Sequence, residues 1–209
     1  LALRGAMSRD AGERVPHLLG MSATPIPRSL AMTYLADLDV SVLDERPPNR
    51  QPITTKLMAA SRRDELIDRV KNFIASGGQA YWVCPLVEES EVVDYASAEQ
   101  RFQHLRAALG DRVGLVHGQM PPVDKDAAMA RFVAGQTQVL VATTVIEVGV
   151  NVPNASIMVV ERAETFGLAQ LHQLRGRVGR GSAESTCLLM YQAPLTETGE
   201  RRLKVLRDT

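Results

Sequence analysis

The sequence is poor in the residues that would mark a disulfide-linked, metal-binding or membrane-spanning protein. Only two of its 209 residues are cysteines, and Cys84 and Cys187 each lie in an apolar run typical of a buried strand. Neither has a second cysteine or a histidine at the spacing of metal ligands, so we expect free thiols, a reducing compartment and no metal site. No apolar stretch is as long as a membrane span, and no segment resembles a signal peptide.

The chain also lacks an excess of charge of either sign. Its 24 basic and 24 acidic residues give a formal net charge of zero. Any binding to nucleic acid must therefore come from local patches, because no whole-protein field draws the chain to phosphates. Lysine is scarce beside arginine, which reflects genome composition as readily as phosphate binding. The four lysines are Lys56, Lys71, Lys125 and Lys204.

A third absence concerns nucleotide chemistry. The pattern Gly-x-x-x-x-Gly-Lys-Ser/Thr, whose backbone amides surround phosphates, occurs nowhere in the chain. The acidic pair Asp44 and Glu45 precedes a proline-rich stretch instead of following a buried strand, so it does not fit the carboxylate that holds magnesium. Because both parts are missing, we expect these 209 residues alone not to hydrolyse a nucleotide.

From residue 61 onward, helix and strand patterns alternate. Apolar residues recur at helical spacing after Ser61, which can cap a helix, and Gly77 ends that run. Strands separated by helices of this length imply right-handed crossovers and a mainly parallel sheet, which is the centre of a three-layer α/β/α fold. We predict strands at 79–87, 113–117, 138–142, 156–161 and 186–191, and helices at 61–76, 98–109, 121–134, 167–174 and 197–207.

The first fifty residues follow a different pattern. One apolar strand at 17–21 and one short helix at 27–34 cannot bury a core between them. Residues 44–52 contain three prolines and are typical of a linker. We therefore expect residues 1–43 to be the tail of a preceding domain cut by the chain start. They are followed by an interdomain linker at 44–55, an α/β domain at 56–193 and the start of a further helical element at 194–209.

The most distinctive segment is residues 173–180, which read Gln-Leu-Arg-Gly-Arg-Val-Gly-Arg after a predicted helix. Arg175, Arg177 and Arg180 can each make two parallel hydrogen bonds to a phosphate. The glycines between them allow the backbone to turn tightly and to approach a ligand closely. Such a loop suits an arginine finger, which stabilises a phosphoryl-transfer transition state. The plain alternative is a solvated basic loop before a strand.

Polar residues and glycine follow several predicted strands at the carboxyl edge, where ligands of such sheets bind. His117 and Gly118 follow one strand, and the amides of the next helix point toward a phosphate placed there. Thr143 and Thr144 end another strand, where their hydroxyls can meet a nucleic-acid backbone without reading base sequence. A helix cap is the alternative for Thr143. Residues 161–166 form a third loop at this edge.

Together these segments resemble the motifs of superfamily 2 helicases. Residues 173–180 are similar to motif VI, residues 117–120 to motif IVa and residues 141–153 to motif V. Residues 21–28, Met-Ser-Ala-Thr-Pro-Ile-Pro-Arg, resemble motif III, although Ser-Ala-Thr at a strand end is also a common helix cap. Within the superfamily, the chain resembles the RecG branched-DNA helicases over essentially its whole length.

Three segments carry the resemblance to RecG in particular. Residues 37–42, Asp-Leu-Asp-Val-Ser-Val, and residues 47–53, Pro-Pro-Asn-Arg-Gln-Pro-Ile, favour RecG over the transcription-repair coupling factor Mfd. The block 161–181 is shared with Mfd. Residues 202–209 look like the entry to the helical hairpin that is linked to translocation in the RecG family, so the resemblance identifies 194–209 as the start of that hairpin.

The resemblance implies a RecA-like domain of the P-loop NTPase superfamily without a P-loop of its own. Arg177 and Arg180 would approach the γ-phosphate of ATP, and Arg175 would position their loop. Asn151 replaces an acidic residue near the nucleotide ribose, so this position keeps a donor and an acceptor but loses the charge. By implied role, the residues are Arg177 and Arg180 for catalysis; Gly149, Asn151, Gln173 and Arg175 for the nucleotide; His117, Gly118, Thr143 and Thr144 for nucleic acid; and Ser22, Ala23 and Thr24 for coupling between motor domains.

The same resemblance implies the second motor domain of an ATP-dependent branched-DNA helicase that acts in recombination, DNA repair and the remodelling of stalled forks. ATP and Mg²⁺ would be held mainly by a first RecA-like domain just before residue 1. The implied partners are that domain, replication forks and Holliday junctions, with no membrane, and the whole protein would be a nucleoid-associated monomer in the bacterial cytoplasm. Two alternatives stay open: the motor domain of a coupling factor, and a non-enzymatic module that binds phosphate or nucleic acid.

Overall fold

The computed structural model describes residues 51–85, 91–143, 152, 154–179 and 183–208 together with Ser41, and of residues 91–96 it describes the backbone. The chain divides into two compact units, Leu1–Leu43 and Asp44–Thr209. Apart from Ser41, all described residues belong to the second unit. The predicted strand at 17–21, the helix at 27–34 and the segment that resembles motif III lie outside the described residues.

Six strands form one sheet in which every neighbouring pair runs parallel. Their order across the sheet is β1-β6-β5-β2-β4-β3, so each of the connections between them crosses over. This arrangement confirms the parallel α/β fold that the sequence predicts. The strands are β1 (Ile53–Ala59), β2 (Gln79–Val83), β3 (Val113–Val116), β4 (Val139–Ala142), β5 (Ala155–Val160) and β6 (Ser185–Tyr191).

Helices cover both faces of the sheet. Two of them pack on one face through a buried cluster that includes Leu66, Val70 and Leu105. The other three pack on the opposite face, where a second cluster includes Phe132 and Leu203. The α-helices are α1 (Arg63–Ala75), α2 (Glu91–Leu109), α3 (Pro122–Val133), α4 (Leu168–Arg175) and α5 (Glu197–Asp208), and short 3₁₀ turns lie at Ala60–Arg62, Gly110–Arg112 and Ala163–Thr165.

The central strands are continuous apolar runs because both of their faces are covered. Every residue of β2 and of β4 is buried. Neighbouring side chains on β2 point to opposite faces: the Tyr81 ring lies 5.1 Å from the Phe132 ring, while Trp82 belongs to the cluster beneath α1 and α2. Such strands position the loops at their carboxyl ends firmly. None of the helices in the described ranges is long and apolar enough to cross a membrane.

The structure differs from the sequence prediction most clearly at one unpredicted strand and at two element boundaries. Strand β1 was not predicted, and its first three residues fall in the stretch that the sequence assigns to the linker. It is half-buried at the sheet edge and pairs with β6, which follows it by more than a hundred residues. Helix α2 begins at Glu91 instead of residue 98, and β2 ends at Val83 instead of residue 87.

Candidate nucleotide and nucleic-acid interface

The predicted arginine loop follows α4, which is short and held by few buried residues. Helix α4 begins after Gly167, and only Leu171 and Leu174 on it are buried. Its last turn continues into the loop through backbone hydrogen bonds, from the Gly176 amide to the His172 carbonyl at 3.0 Å and from the Arg177 amide to the Leu174 carbonyl at 3.0 Å. The arginine segment therefore extends from the end of a helix as a helical continuation.

Glycine is required where this segment turns back to the sheet. Gly179 has a φ of +74°, a conformation that side chains rarely adopt, and a Cβ there would lie 2.9 Å from Ile53 Cγ1 on β1. The preceding Val178 is fully buried. Before Arg177 the loop continues α4, and after Arg177 it packs against β1 at Gly179. The backbone that carries Arg177 therefore has a defined position.

The candidate side chains of this segment have different environments. Arg175 lies partly buried, and its Nη1 donates to the Leu206 carbonyl of α5 at 3.1 Å while its Nη2 lies 3.3 Å from His172 Nδ1. Arg177 is half-buried, and Gln173 is exposed. Burial, assisted by the nearby Arg175, lowers the pKa of His172, so the imidazole is neutral beside the guanidinium. Arg175 thus links α4 to α5.

Helix α5 also holds the turn that leads into α4. Arg202 Nη1 donates to the Phe166 carbonyl at 2.7 Å and to the Glu164 carbonyl at 3.3 Å. Leu203 and Leu206 place the same helix in the core. Through these contacts, α5 packs against both ends of α4 and limits its movement over the sheet.

The predicted nucleic-acid residues lie at the carboxyl ends of β3 and β4. His117 is only 3% exposed, and its pKa is lowered by burial and by Lys125, against the opposing effect of Glu99. The exposed Gly118 carbonyl accepts a hydrogen bond from Lys125 Nζ at 2.7 Å, which joins this loop to α3. His117 therefore offers a neutral imidazole, and Gly118 is the more accessible of the two residues.

Thr143 follows β4 and lies beside the end of β3. Its amide donates to the Val116 carbonyl at 3.3 Å. The residue is 2% exposed, and its hydroxyl oxygen has no hydrogen-bond partner among the residues that the structure describes. A buried hydroxyl without a partner is unfavourable, and such groups in native proteins usually meet a ligand or water. The hydroxyl thus lies at the expected edge, beneath the surface rather than on it.

A charged cluster at the end of β5 was not predicted from the sequence. Glu161 is 8% exposed, and its Oε1 accepts a hydrogen bond from Trp82 Nε1 at 2.7 Å. The Arg101 guanidinium contacts both carboxylate oxygens, with Nε 2.6 Å from Oε1 and Nη2 3.3 Å from Oε2. Arg63 Nε lies 3.6 Å from Oε1. The one available signal was an acidic residue directly after a buried strand.

The remaining sequence candidates lie outside the described residues. These are Arg180, Gly149, Asn151, Thr144, Ser22, Ala23 and Thr24. In the part of the chain that the structure describes, no group of three or more histidine, cysteine or acidic residues could hold a metal ion. Cys84 and Cys187 are free and buried. Burial raises the pKa of both thiols, that of Cys187 to about 12, so both are protonated and unreactive at neutral pH.

Residues 62–182 match the family model described as the helicase conserved C-terminal domain. Among curated proteins, the ATP-dependent DNA helicase RecG of Escherichia coli K12 is 58% identical over 93% of this chain and 28% of its own length. The RecG protein of Bacillus subtilis is 46% identical over 93% of this chain and 29% of its own length. The chain thus spans less than a third of these relatives.

Two solved structures share the fold of this chain. A structure of RecG bound to a three-way DNA junction matches with a TM-score of 0.75 and 44% identity, over 90% of this chain and 24% of that one. The Saccharomyces cerevisiae Dbp5 structure bound to RNA and ADP BeF3 matches with a TM-score of 0.62 and 16% identity, over 90% of this chain and 47% of that one. At that identity, the second match supports the fold alone.

Proposed function

Because the chain belongs to the helicase conserved C-terminal domain family, we propose that it serves as the second motor domain of a RecG-type, ATP-dependent DNA helicase that remodels branched DNA. The relatives reported above carry the RecG name over nearly the whole chain, which favours RecG over a transcription-repair coupling factor. In this proposal, residues 1–43 belong to the end of the first motor domain, 44–55 connect the two, and 194–209 begin the helical hairpin.

The geometry of the arginine loop is the observation that carries the proposal. Arg177 lies on a backbone that is fixed by α4 on one side and by the contact of Gly179 with β1 on the other. A guanidinium held in this way can stabilise charge on a transferring phosphoryl group with little reorganisation at the moment of reaction. A solvated basic loop would not need a glycine packed against β1 or a buried valine beside the arginine.

The residues of this segment fit the outer side of an ATP site. ATP with Mg²⁺ supplies the phosphoryl group to be hydrolysed, and we assign the main hold on both to the first motor domain, since the phosphate-loop pattern is not in this sequence. Arg177 and Arg180 supply guanidinium donors toward the γ-phosphate. Arg175 keeps α4 on α5 through the Leu206 carbonyl. Gln173 supports the loop, and we assign Gly149 and Asn151 to contacts with the rest of the nucleotide.

The loops at the ends of β3 and β4 are assigned to the DNA backbone. Since the pKa of His117 is lowered, its neutral imidazole would contact a phosphate through a hydrogen bond and not through charge. The exposed Gly118 allows close approach of the chain. We assign to the same set Thr144 and the Thr143 hydroxyl, which has no partner among the described residues. Such contacts position DNA without reading its sequence.

The proposed cycle joins the two sites. Hydrolysis would open and close the cleft between the motor domains, with Ser22, Ala23 and Thr24 relaying the nucleotide state and the β3 and β4 loops stepping along the DNA backbone. The whole protein would act as a monomer on forks and Holliday junctions in recombination and repair, within the bacterial cytoplasm.

ATP hydrolysis by the longer helicase that contains this chain tests the proposal. We expect branched DNA to stimulate hydrolysis, and we expect Arg177→Ala and Arg180→Ala each to lower kcat on the order of a thousandfold, because an arginine finger contributes about that much. The matched control is Arg69→Ala, which removes an exposed arginine paired with Glu65 on α1. Circular dichroism should show the same folded state in all three variants.

Two outcomes would contradict the proposal. Full DNA-stimulated turnover in Arg180→Ala and Arg177→Ala would contradict the assignment of these two residues as arginine fingers. A wild-type protein that hydrolyses no ATP, combined with salt-dependent DNA binding by the 209-residue chain alone, would identify a non-enzymatic binding module instead.

A further inference from the structure

The Glu161 cluster lies where the chain leaves β5 on its way to the arginine loop. A buried ion pair contributes little net stability, because the loss of hydration of the charges offsets their attraction. Its geometry, however, fixes position. Arg101 of α2 contacts both carboxylate oxygens, and Trp82 of β2 donates to one of them from inside the sheet. A helix on one face of the sheet and a strand within the sheet therefore define where Glu161 lies.

The next residue needs such support. Arg162 has φ 47° and ψ 47°, the left-handed conformation that is uncommon for a residue with a Cβ and persists only where the surroundings hold it. On its far side, the amide and the hydroxyl of Thr165 both donate to the Arg162 carbonyl, at 2.9 and 2.8 Å. The turn is thus held by Glu161 before it and by Thr165 after it.

A small change in the geometry of this turn would produce a larger displacement of the arginine loop. Helix α4 has eight residues, which is about 12 Å of helix. A tilt of about 5° at its beginning would move its far end by about 1 Å, and a misplacement of about 1 Å can lower a rate roughly a hundredfold. With only Leu171 and Leu174 of α4 buried, the turn before the helix contributes strongly to its direction.

We propose that Glu161 is a positioning residue for the arginine loop: with Trp82 and Arg101 it sets the turn at Arg162 and hence the direction of α4. This inference rests on the proposed function, because the reaction it affects is DNA-stimulated ATP hydrolysis. Since Arg101 belongs to the helix that follows the β2 loop, the cluster also joins that part of the carboxyl edge to the arginine loop.

The first experiment uses nuclear magnetic resonance of the 209-residue chain to test whether Glu161 affects the conformation of the arginine loop. In ¹⁵N-labelled protein, we expect Glu161→Gln to shift the amide resonances of Gly176 and Gly179 together with the Trp82 indole resonance. The control is Glu65→Gln, the same chemical change at an exposed pair on α1, which should leave all three unchanged. Movement of the indole resonance while Gly176 and Gly179 stay in place would overturn the proposal.

The second measurement is kinetic and uses the longer helicase. We expect Glu161→Gln to lower kcat of DNA-stimulated ATP hydrolysis roughly tenfold to a hundredfold, with KM for ATP within about twofold of wild type, because a displaced finger weakens only the transition state. Glu65→Gln should keep wild-type kcat. An unchanged kcat in Glu161→Gln would contradict the positioning role.

A second variant separates positioning from folding. Glu161→Leu/Arg101→Met removes the carboxylate together with its closest guanidinium. Only the Trp82 indole N–H and Arg63, whose side chain is 31% exposed, then lose this partner, so Tm should return part of the way toward that of wild type. A positioning role predicts that kcat stays low in this variant, whereas recovery of kcat along with Tm would show a purely structural role. If the wild type shows no DNA-stimulated hydrolysis, the proposed function fails, and the resonances of Gly176 and Gly179 decide the positioning claim by themselves.

Discussion

The arginine loop and the ends of β3 and β4 lie on the same domain, yet their polar groups are satisfied in different ways. In the arginine segment, Arg175 donates to the Leu206 carbonyl and Arg202 donates to the carbonyls before α4. At the other site, the Thr143 hydroxyl is buried without a partner in the described part of the chain, and His117 is held neutral by burial. Among the described residues, Arg175 and the carbonyls before α4 are paired within the chain, whereas the Thr143 hydroxyl has hydrogen-bonding capacity left over.

The difference matches the two tasks proposed for these regions. An arginine finger must present its charge in a fixed place, because its contribution depends on being oriented before the transition state forms. A DNA-backbone contact must be made and released at each step, so a modest hydrogen bond to an outside partner is sufficient. Changes to the arginine segment should therefore have larger effects than changes to the β3 and β4 loops.

Gly179→Ala should have the largest effect and would break the fixed position of the arginine loop. Both its positive φ and the 2.9 Å approach of a Cβ to Ile53 oppose the substitution, so we expect a loss of about 2–4 kcal/mol in unfolding free energy. Gly135→Ala is the matched control, with φ +71° and open space around the added Cβ, and should lose only about 1 kcal/mol. Chemical denaturation measures both; equal losses would show that the loop does not pack tightly on β1.

Arg175→Ala tests whether this arginine positions the loop or binds the nucleotide. Removing its bond to the Leu206 carbonyl should lower the unfolding free energy by about 1–2 kcal/mol. We also expect kcat for ATP hydrolysis to fall while KM for ATP stays unchanged. A nucleotide contact would instead raise KM with little change in stability, and that result would contradict the positioning role. Arg201→Ala, an exposed arginine on α5, is the control.

Thr143→Val tests the unused hydroxyl and should have a smaller effect. Replacing a buried hydroxyl without a partner by a methyl group should leave stability unchanged or raise it by up to about 1 kcal/mol. Affinity for branched DNA should fall about two- to tenfold, the value of one hydrogen bond. The control is Thr137→Val, since the Thr137 hydroxyl is also buried and unpaired but precedes β4. Equal DNA affinity in both variants would show that the Thr143 hydroxyl does not contact DNA.

The pH dependence of stability should show the smallest effect. The pKa values of His117 and His172 are lowered in the folded protein, so below about pH 6.5 the unfolded chain takes up protons first. The contribution of the two neutral imidazoles to the unfolding free energy is complete above about pH 6.5. It is lost as the pH falls toward the pKa values of the folded protein. Tm measured from pH 7.5 to 5.5 should fall less steeply in His117→Gln/His172→Gln. An identical slope would contradict the burial of these two imidazoles.

The sequence predicted most of the elements because local patterns determine them. Continuous apolar runs marked β2 and β4, and helical spacing from Leu66 to Ile74 marked α1. Strand β1 was not predicted, because Thr54 and Lys56 face solvent at the sheet edge and interrupt the apolar pattern. Its partner, β6, is also distant in the chain. Pairing of that kind depends on the folded sheet and leaves only a weak local pattern.

The candidate site was also predicted only in part. The sequence located the arginine segment and the loops after β3 and β4, because arginines among glycines and polar residues after apolar strands are local features. It could not show that Arg175 reaches the Leu206 carbonyl or that Arg101 reaches Glu161. Those partners are 31 and 60 residues apart, and their distance is set by the packing of helices on the sheet.

By itself, the sequence determined the parallel α/β fold and the resemblance to RecG helicases, since hydrophobic patterning and motif residues are carried along the chain. Only the tertiary structure decided how the arginine loop is held, which buried hydroxyls have no partner among the described residues, and that Glu161 lies under two guanidinium groups. The physical reason is that these properties depend on distances between residues far apart in sequence, which exist only after the helices have packed on both faces of the sheet.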